Sequence, residues 1–130
     1  MIKVSKKSQY GLRAMVCLAK SYKLKQVLST KKISEKEGIP FEFLEKIILR
    51  LEKAKLVEGK KGVQGGYILA RTPNKISAND VVSVLEDNKH PVDCSLCTRK
   101  KGCLTKDVWS KVYSALNKTL KSITLKDLIK

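Results

Sequence analysis

The alternation of apolar and polar positions is most regular between residues 41 and 54. Leu44, Ile47, Ile48, Leu51 and Ala54 fall there at i, i+3, i+4, i+7 and i+10, which is one apolar stripe on an α-helix. The other face carries Glu42, Glu45, Lys46, Arg50 and Lys53, all able to form hydrogen bonds. Just upstream, Ile33 to Glu37 reads as the end of a shorter helix, with Ser29 as its N-cap and Gly38 as its stop. Pro40 then sets the first turn of the helix that follows. Two helices joined by a tight glycine turn, the second polar on its outer face, make a helix-turn-helix. Downstream, Leu56 to Glu58 and Tyr67 to Leu69 are strand-like runs flanking the segment GKKGVQGG at 59–66. Lys60 and Lys61 at the tip of this hairpin have no packing role, so a wing beside the helix is expected.

The remaining pattern places this unit in a larger chain. Ser8 to Tyr22 predicts a first helix with Leu12, Met15, Val16, Leu18 and Ala19 on its apolar face, followed by a linker over 23–28. Residues 71–75 read as a loop. Ser77 and Asp80 then form a capping-box pattern that opens a short helix through Val81, Val82, Val84 and Leu85. No periodicity is present from Asn88 to Gly102. From Leu104 to Ser122 it returns: Leu104, Val108, Val112, Leu116 and Leu120 recur every four residues, widened by Trp109, Tyr113 and Ile123. A helix with so broad an apolar face needs a cover, either its own domain or a second copy. A two-fold homodimer is the expectation, because paired helix-turn-helix units read half-sites about one helical turn apart. Thr124 to Asp127 is a second capping-box pattern before Leu128 and Ile129. The fold class expected is mainly α with a small β-wing. A winged helix-turn-helix DNA-binding domain should span 1–75, and a loop with a long dimerisation helix 76–130.

Charge narrows the partner. The 130 residues hold 28 basic and 12 acidic side chains, a net charge of +16, which calls for a polyanion: double-stranded DNA before an anionic membrane. Most of the basic residues are lysines spread along the chain, so part of this excess is ordinary solvated surface. No run approaches the ~20 apolar residues of a membrane span. The N-terminal MIKVSKKSQY lacks the apolar core of a signal peptide, so a cytoplasmic protein is expected. A single histidine, no phosphate-cradling loop and no paired carboxylates speak against an enzyme.

Cysteine usage adds chemistry. Cys17 sits inside the first helix and reads as a small buried hydrophobe. Cys94, Cys97 and Cys103 gather three thiols on one loop, which in a reducing compartment favours metal or redox chemistry over disulfides. Thiolates at this spacing suit zinc or an iron–sulfur cluster, and composition leaves both open. His90 is available to complete a site of three cysteines and one histidine. Arg99, Lys100 and Lys101 favour the thiolate form.

The order of these parts resembles the Rrf-type family of bacterial winged helix-turn-helix repressors over nearly the whole chain. The matching segments are YGLRA at 10–14, ISEKEGI at 33–39, Phe43 to Glu45 and on through Leu56 and Val57, and GVQGGY at 62–67. Cys103 to Trp109 and ITLKDL at 123–128 complete them. The wing and the Cys-to-Trp segment are the specific ones. The resemblance is greatest to the family's iron–sulfur cluster regulators. It implies a homodimer with a long crossing helix and an iron–sulfur cluster on Cys94, Cys97 and Cys103, of the 2Fe-2S type or, alternatively, 4Fe-4S. Two departures leave the fourth ligand open. The position of a histidine ligand in those regulators is Lys106 here. The position of a carboxylate ligand in the family's nitric-oxide sensors is Gln9. His90 and the partner subunit's Gln9 are the remaining candidates. The first cysteine gap is also shorter, two residues where those regulators have five.

The expected function is therefore a dimeric transcription repressor sensing iron–sulfur, redox or nitric-oxide status. Glu42, Glu45 and Lys46 would meet base edges, with the resemblance favouring Glu45. Lys61 would enter the minor groove, and Lys60, Arg50, Tyr10 and Lys32 would hold phosphates. The alternative is a cluster-free or zinc-binding winged-helix regulator controlled by a partner protein or metabolite.

Overall fold

The computed structural model describes residues 3–87 and 104–129. Six helices and one hairpin lie in these segments: α1 (Lys6–Tyr22), α2 (Thr30–Glu37), α3 (Phe41–Lys53), β1 (Val57–Lys60), β2 (Gly66–Leu69), α4 (Ala78–Leu85), α5 (Lys106–Ser122) and α6 (Leu125–Leu128). His90, Cys94, Cys97 and Cys103 fall outside the described residues.

Local chemistry explains most boundaries. Helix α1 starts two residues before the expected Ser8 because the side chain of Ser5 accepts the Ser8 N–H as its cap. Ser29 caps α2 by accepting the Lys32 N–H at 3.1 Å. At the other end Gly38 takes a left-handed conformation (φ 64°), and the Ile39 N–H closes onto the Ser34 carbonyl at 3.2 Å. Pro40 then presets the entry to α3. Both capping boxes form, Ser77 with Asp80 at α4 and Thr124 with Asp127 at α6. Part of the expected 71–75 loop is a single 3-10 turn, Pro73–Lys75.

Strands β1 and β2 are antiparallel, with Val57 opposite Leu69 and Lys60 opposite Gly66. The hairpin gains a third chain from the expected linker. Leu28 and Tyr67 exchange both backbone hydrogen bonds, at 3.0 and 2.7 Å. Gly66 makes room for this contact, since a Cβ there would lie 2.3 Å from the Leu28 carbonyl oxygen.

The core is continuous. Leu44, Ile47, Ile48 and Leu51 of α3 are buried together with Met15 and Leu18 of α1, Ile33 of α2, Val81 and Leu85 of α4, and Leu125 of α6. Burial of each such side chain contributes about 1.5–3 kcal/mol. The closing segment thus returns to the winged domain, held by the Ala78 N–H on the Ile123 carbonyl (2.7 Å) and the Leu125 N–H on the Ile76 carbonyl (2.9 Å). Helix α5 differs from the others in having no buried residue. Leu104, just before it, is 98% exposed, and Val108, Trp109 and Leu116 are exposed as well. Among the described residues no helix is long and apolar enough to cross a membrane.

Candidate nucleic-acid interface

The core-facing stripe of α3 fixes what its opposite face offers. Glu42, Glu45, Lys46 and Lys53 are exposed there, as the periodicity required. Two apolar residues that the sequence reading had not assigned, Phe41 and Leu49, share this exposed side. Leu49 carried a signal, since it sits out of phase with the buried stripe; Phe41 carried none, being in phase with Leu44 and Ile48 but placed in the first turn of the helix.

Beyond α3, the hairpin carries Lys60 and Lys61 to an exposed tip. Gly62 turns the chain at φ 122°, and the Gly65 N–H bonds the Gly62 carbonyl at 2.9 Å. A Cβ on Gly65 would approach the Lys60 carbonyl oxygen to 2.5 Å, so this tight tip depends on glycine. Lys60 has an ion pair with Glu58 on its own strand at 3.7 Å. Within the hairpin, Tyr67 of β2 is held above the usual tyrosine range, first by burial and then by Glu52 and Glu45.

The other expected contacts occupy different settings. Lys32 is exposed in the first turn of α2. Tyr10 is half-buried, its ring edge-on to Phe43 at 5.6 Å, with the cations of Lys6 and Arg13 at 5.9 and 5.7 Å from its centre. Arg13 also donates to the Glu37 carbonyl and pairs with the Glu37 carboxylate at 3.8 Å, tying α1 to the end of α2. Arg50 is engaged within the protein: its Nη2 donates to the Val84 carbonyl at 2.7 Å and to Asp87 Oδ1 at 3.3 Å. The arrangement leaves the outward face of α3 and the lysine tip of the hairpin exposed, while Arg50 links α3 to the end of α4.

Asp87 also accepts from Lys7 at 2.8 Å. That hydrogen bond and charge, joined by Arg50, hold its carboxyl below the ordinary range. Beside it, Glu86 Oε2 accepts from Ser5 Oγ at 2.9 Å and from the buried Ser8 Oγ at 2.5 Å. The chain entering the cysteine segment is thereby fastened to α1 and α3. Gln9 is exposed on α1, its amide donating to the Val4 carbonyl at 3.0 Å. Lys106 is exposed at the start of α5. Cys17 is buried, as its place in the α1 stripe implied, and burial followed by Glu37 raises its thiol pKa. Among the described residues no three His, Cys, Asp or Glu side chains are grouped to hold a metal.

Known proteins share both the sequence and this architecture. The Rrf2 family model, described as an iron-dependent transcriptional regulator, matches residues 4–130. The Rrf2 protein of Nitratidesulfovibrio vulgaris is 35% identical over 133 residues, covering 99% of this chain and 88% of that protein. The solved structure of T. potens IscR superposes with a TM-score of 0.83 at 41% identity, covering 98% of this chain and 85% of that one. That of CymR, the global cysteine regulator of B. subtilis, gives 0.85 at 33% identity, covering 98% and 96%. Its relatives are transcriptional regulators, a non-enzymatic role, and DNA is the partner that role implies. A mainly helical winged-helix chain that carries the Rrf2 pattern from residue 4 to its end belongs to the Rrf2 family of transcriptional regulators.

Proposed function

We propose that this regulator is a cytoplasmic, dimeric repressor that senses iron–sulfur, redox or nitric-oxide status through an iron–sulfur cluster on Cys94, Cys97 and Cys103. The observation carrying the proposal is the three-thiol set, with two and five residues between successive cysteines, in a chain of this family. The donor chemistry fits: soft thiolates are iron–sulfur ligands, and Arg99, Lys100 and Lys101 nearby in sequence favour the deprotonated form. When bound, such a cluster supplies a redox-active iron centre open to oxidants and nitric oxide. A 2Fe-2S type is our first choice and 4Fe-4S the second. His90 or Gln9 of the partner subunit would complete the ligand set; an imidazole is the better donor and an amide the weaker one.

Residues 1–75 would read the operator and residues 76–130 would sense and pair. In the reading half, Glu45 accepts from a cytosine amine, with Glu42 and Lys46 beside it at base edges. Lys61 enters the minor groove, and Lys60, Lys32 and Tyr10 lie toward phosphates. Arg50 acts through the link between α3 and α4. In the pairing half, the exposed Leu104 just before α5 and Val108, Trp109 and Leu116 along it supply an apolar face for a second copy.

A second reading, a cluster-free regulator governed by a metabolite or partner protein, is favoured by the likeness to CymR. Anaerobic purification with iron and sulfide analysis separates the two. The cluster reading expects stoichiometric iron and sulfide, visible absorbance, and loss of both in Cys94→Ala, Cys97→Ala and Cys103→Ala. It also expects each variant to change operator affinity or choice. A colourless protein that still regulates through its operator would establish the second reading.

A further inference from the structure

The outward side of α3 is not uniformly polar. Phe41, Glu45, Leu49 and Lys53 succeed one another at four-residue intervals, so they stand in one ridge along the helix. All four are exposed, Phe41 at 44% and Leu49 at 51%. Neither apolar side chain is among the buried residues of the core. A single exposed leucine on a protein surface is ordinary. Two large apolar groups one helical turn to either side of the proposed base-reading carboxylate make a pattern with a chemical counterpart. In the major groove thymine alone offers a methyl group, and apolar side chains read it by contact.

Resting on the assignment of α3 as the DNA-reading helix, we propose that Phe41 and Leu49 are specificity residues that meet thymine methyl groups on the two sides of the base read by Glu45. Four residues of helix advance about 6 Å, close to two base-pair steps of about 3.4 Å. The two thymines therefore lie within about two base pairs of the Glu45 base, one on each side. Lys53 ends the ridge as a cation, suited to a phosphate where the helix leaves the groove.

The experiment uses the full chain, purified anaerobically. Selection from a pool of randomised duplexes supplies the operator, and Glu45→Ala locates the base that Glu45 reads. Single thymines nearby are then replaced by deoxyuridine, which removes the methyl group alone. Each of the two matched replacements is expected to weaken binding about four-fold, the factor for one buried methyl. Leu49→Ala should be insensitive to one replacement and Phe41→Ala to the other, with unchanged melting temperatures because both side chains are exposed. An operator with no thymine in that window, replacements without effect, or variants that keep full sensitivity would each overturn the inference. So would Leu49→Ala dissociating the protein in sedimentation while discriminating operators normally, which would give the ridge to a protein contact. If selection enriches no sequence, the DNA-reading assignment itself fails; an enriched operator indifferent to the methyl groups leaves that assignment standing.

Discussion

Arg50 and Val84, 34 residues apart in sequence, join two helices that are adjacent in space: the guanidinium donates to the Val84 carbonyl at 2.7 Å. Val84 lies in the last turn of α4, where carbonyl groups have no partner within the helix. Arginine satisfies one of them and, through Asp87, reaches Lys7 of α1 as well.

Arg50→Ala should destabilise the fold by about 1–3 kcal/mol, the range for losing a charge-assisted hydrogen bond to a half-buried acceptor. Urea titration measures it as a lower midpoint at constant slope. Arg50→Lys should recover part of the loss, because a single nitrogen, Nη2, makes both bonds and an ammonium carries three donors. A midpoint unchanged by Arg50→Ala would show the contact to be incidental.

Asp87 gives the same junction a pH dependence. Its folded pKa is depressed below the unfolded carboxylate value of about 3.9. Its contribution is therefore fully present above that unfolded value and is lost as pH falls through the lower folded one. The stability difference between the natural protein and Asp87→Asn should be constant near neutrality and vanish only in acid. Because Asp87 is exposed, the difference should also shrink in high salt.

Gly66→Ala tests the third chain of the wing. The added methyl would meet backbone atoms of Leu28 and Ser29 within 2.6 Å, and backbone cannot rotate aside. A loss of about 1–3 kcal/mol is expected from overpacking, with the Leu28 and Tyr67 amides losing hydrogen-exchange protection. Full retention of that protection would mean that the pairing tolerates a wider separation.

Lys61→Ala should reduce the salt dependence of operator binding, because each phosphate neutralised contributes about 0.9 to the log–log slope. It should also relax discrimination at an A·T-rich flank, where a narrow minor groove attracts a cation. An identical slope in the variant would place Lys61 away from the DNA.

How far the fold was legible depended on whether a single residue type announced each event. Ser29, Gly38, Ser77 and Thr124 did so, and the caps form where those residues stand. The exit from α3 carried no such sign. Lys55 takes the left-handed conformation there (φ 63°), where glycine would have been the visible stop. The Leu28–Tyr67 pairing was hidden for a different reason: one residue cannot display a two-residue alternation. In the candidate interface, exposure followed from helical phase, so Glu42, Glu45 and Lys46 were readable. The commitment of Arg50 was not, because it depends on where α4 ends in space.

The return of the chain beside Ile76 has a mechanical consequence. Helix α5 is clamped at its C-terminal end by two backbone hydrogen bonds and the buried Leu125, while residues 104–111 are exposed throughout. A rod of about 26 Å, at 1.5 Å per residue, thus has its pivot on the winged domain and its far end at Lys106, three residues after Cys103 in sequence. Tilting by about five degrees at the pivot sweeps that far end through about 2 Å, by lever geometry alone. The clamp at Ile76, Ile123 and Leu125 therefore sets how stiffly a displacement of the far end would be felt by the domain, and substitutions there would soften the lever at its pivot without touching that far end.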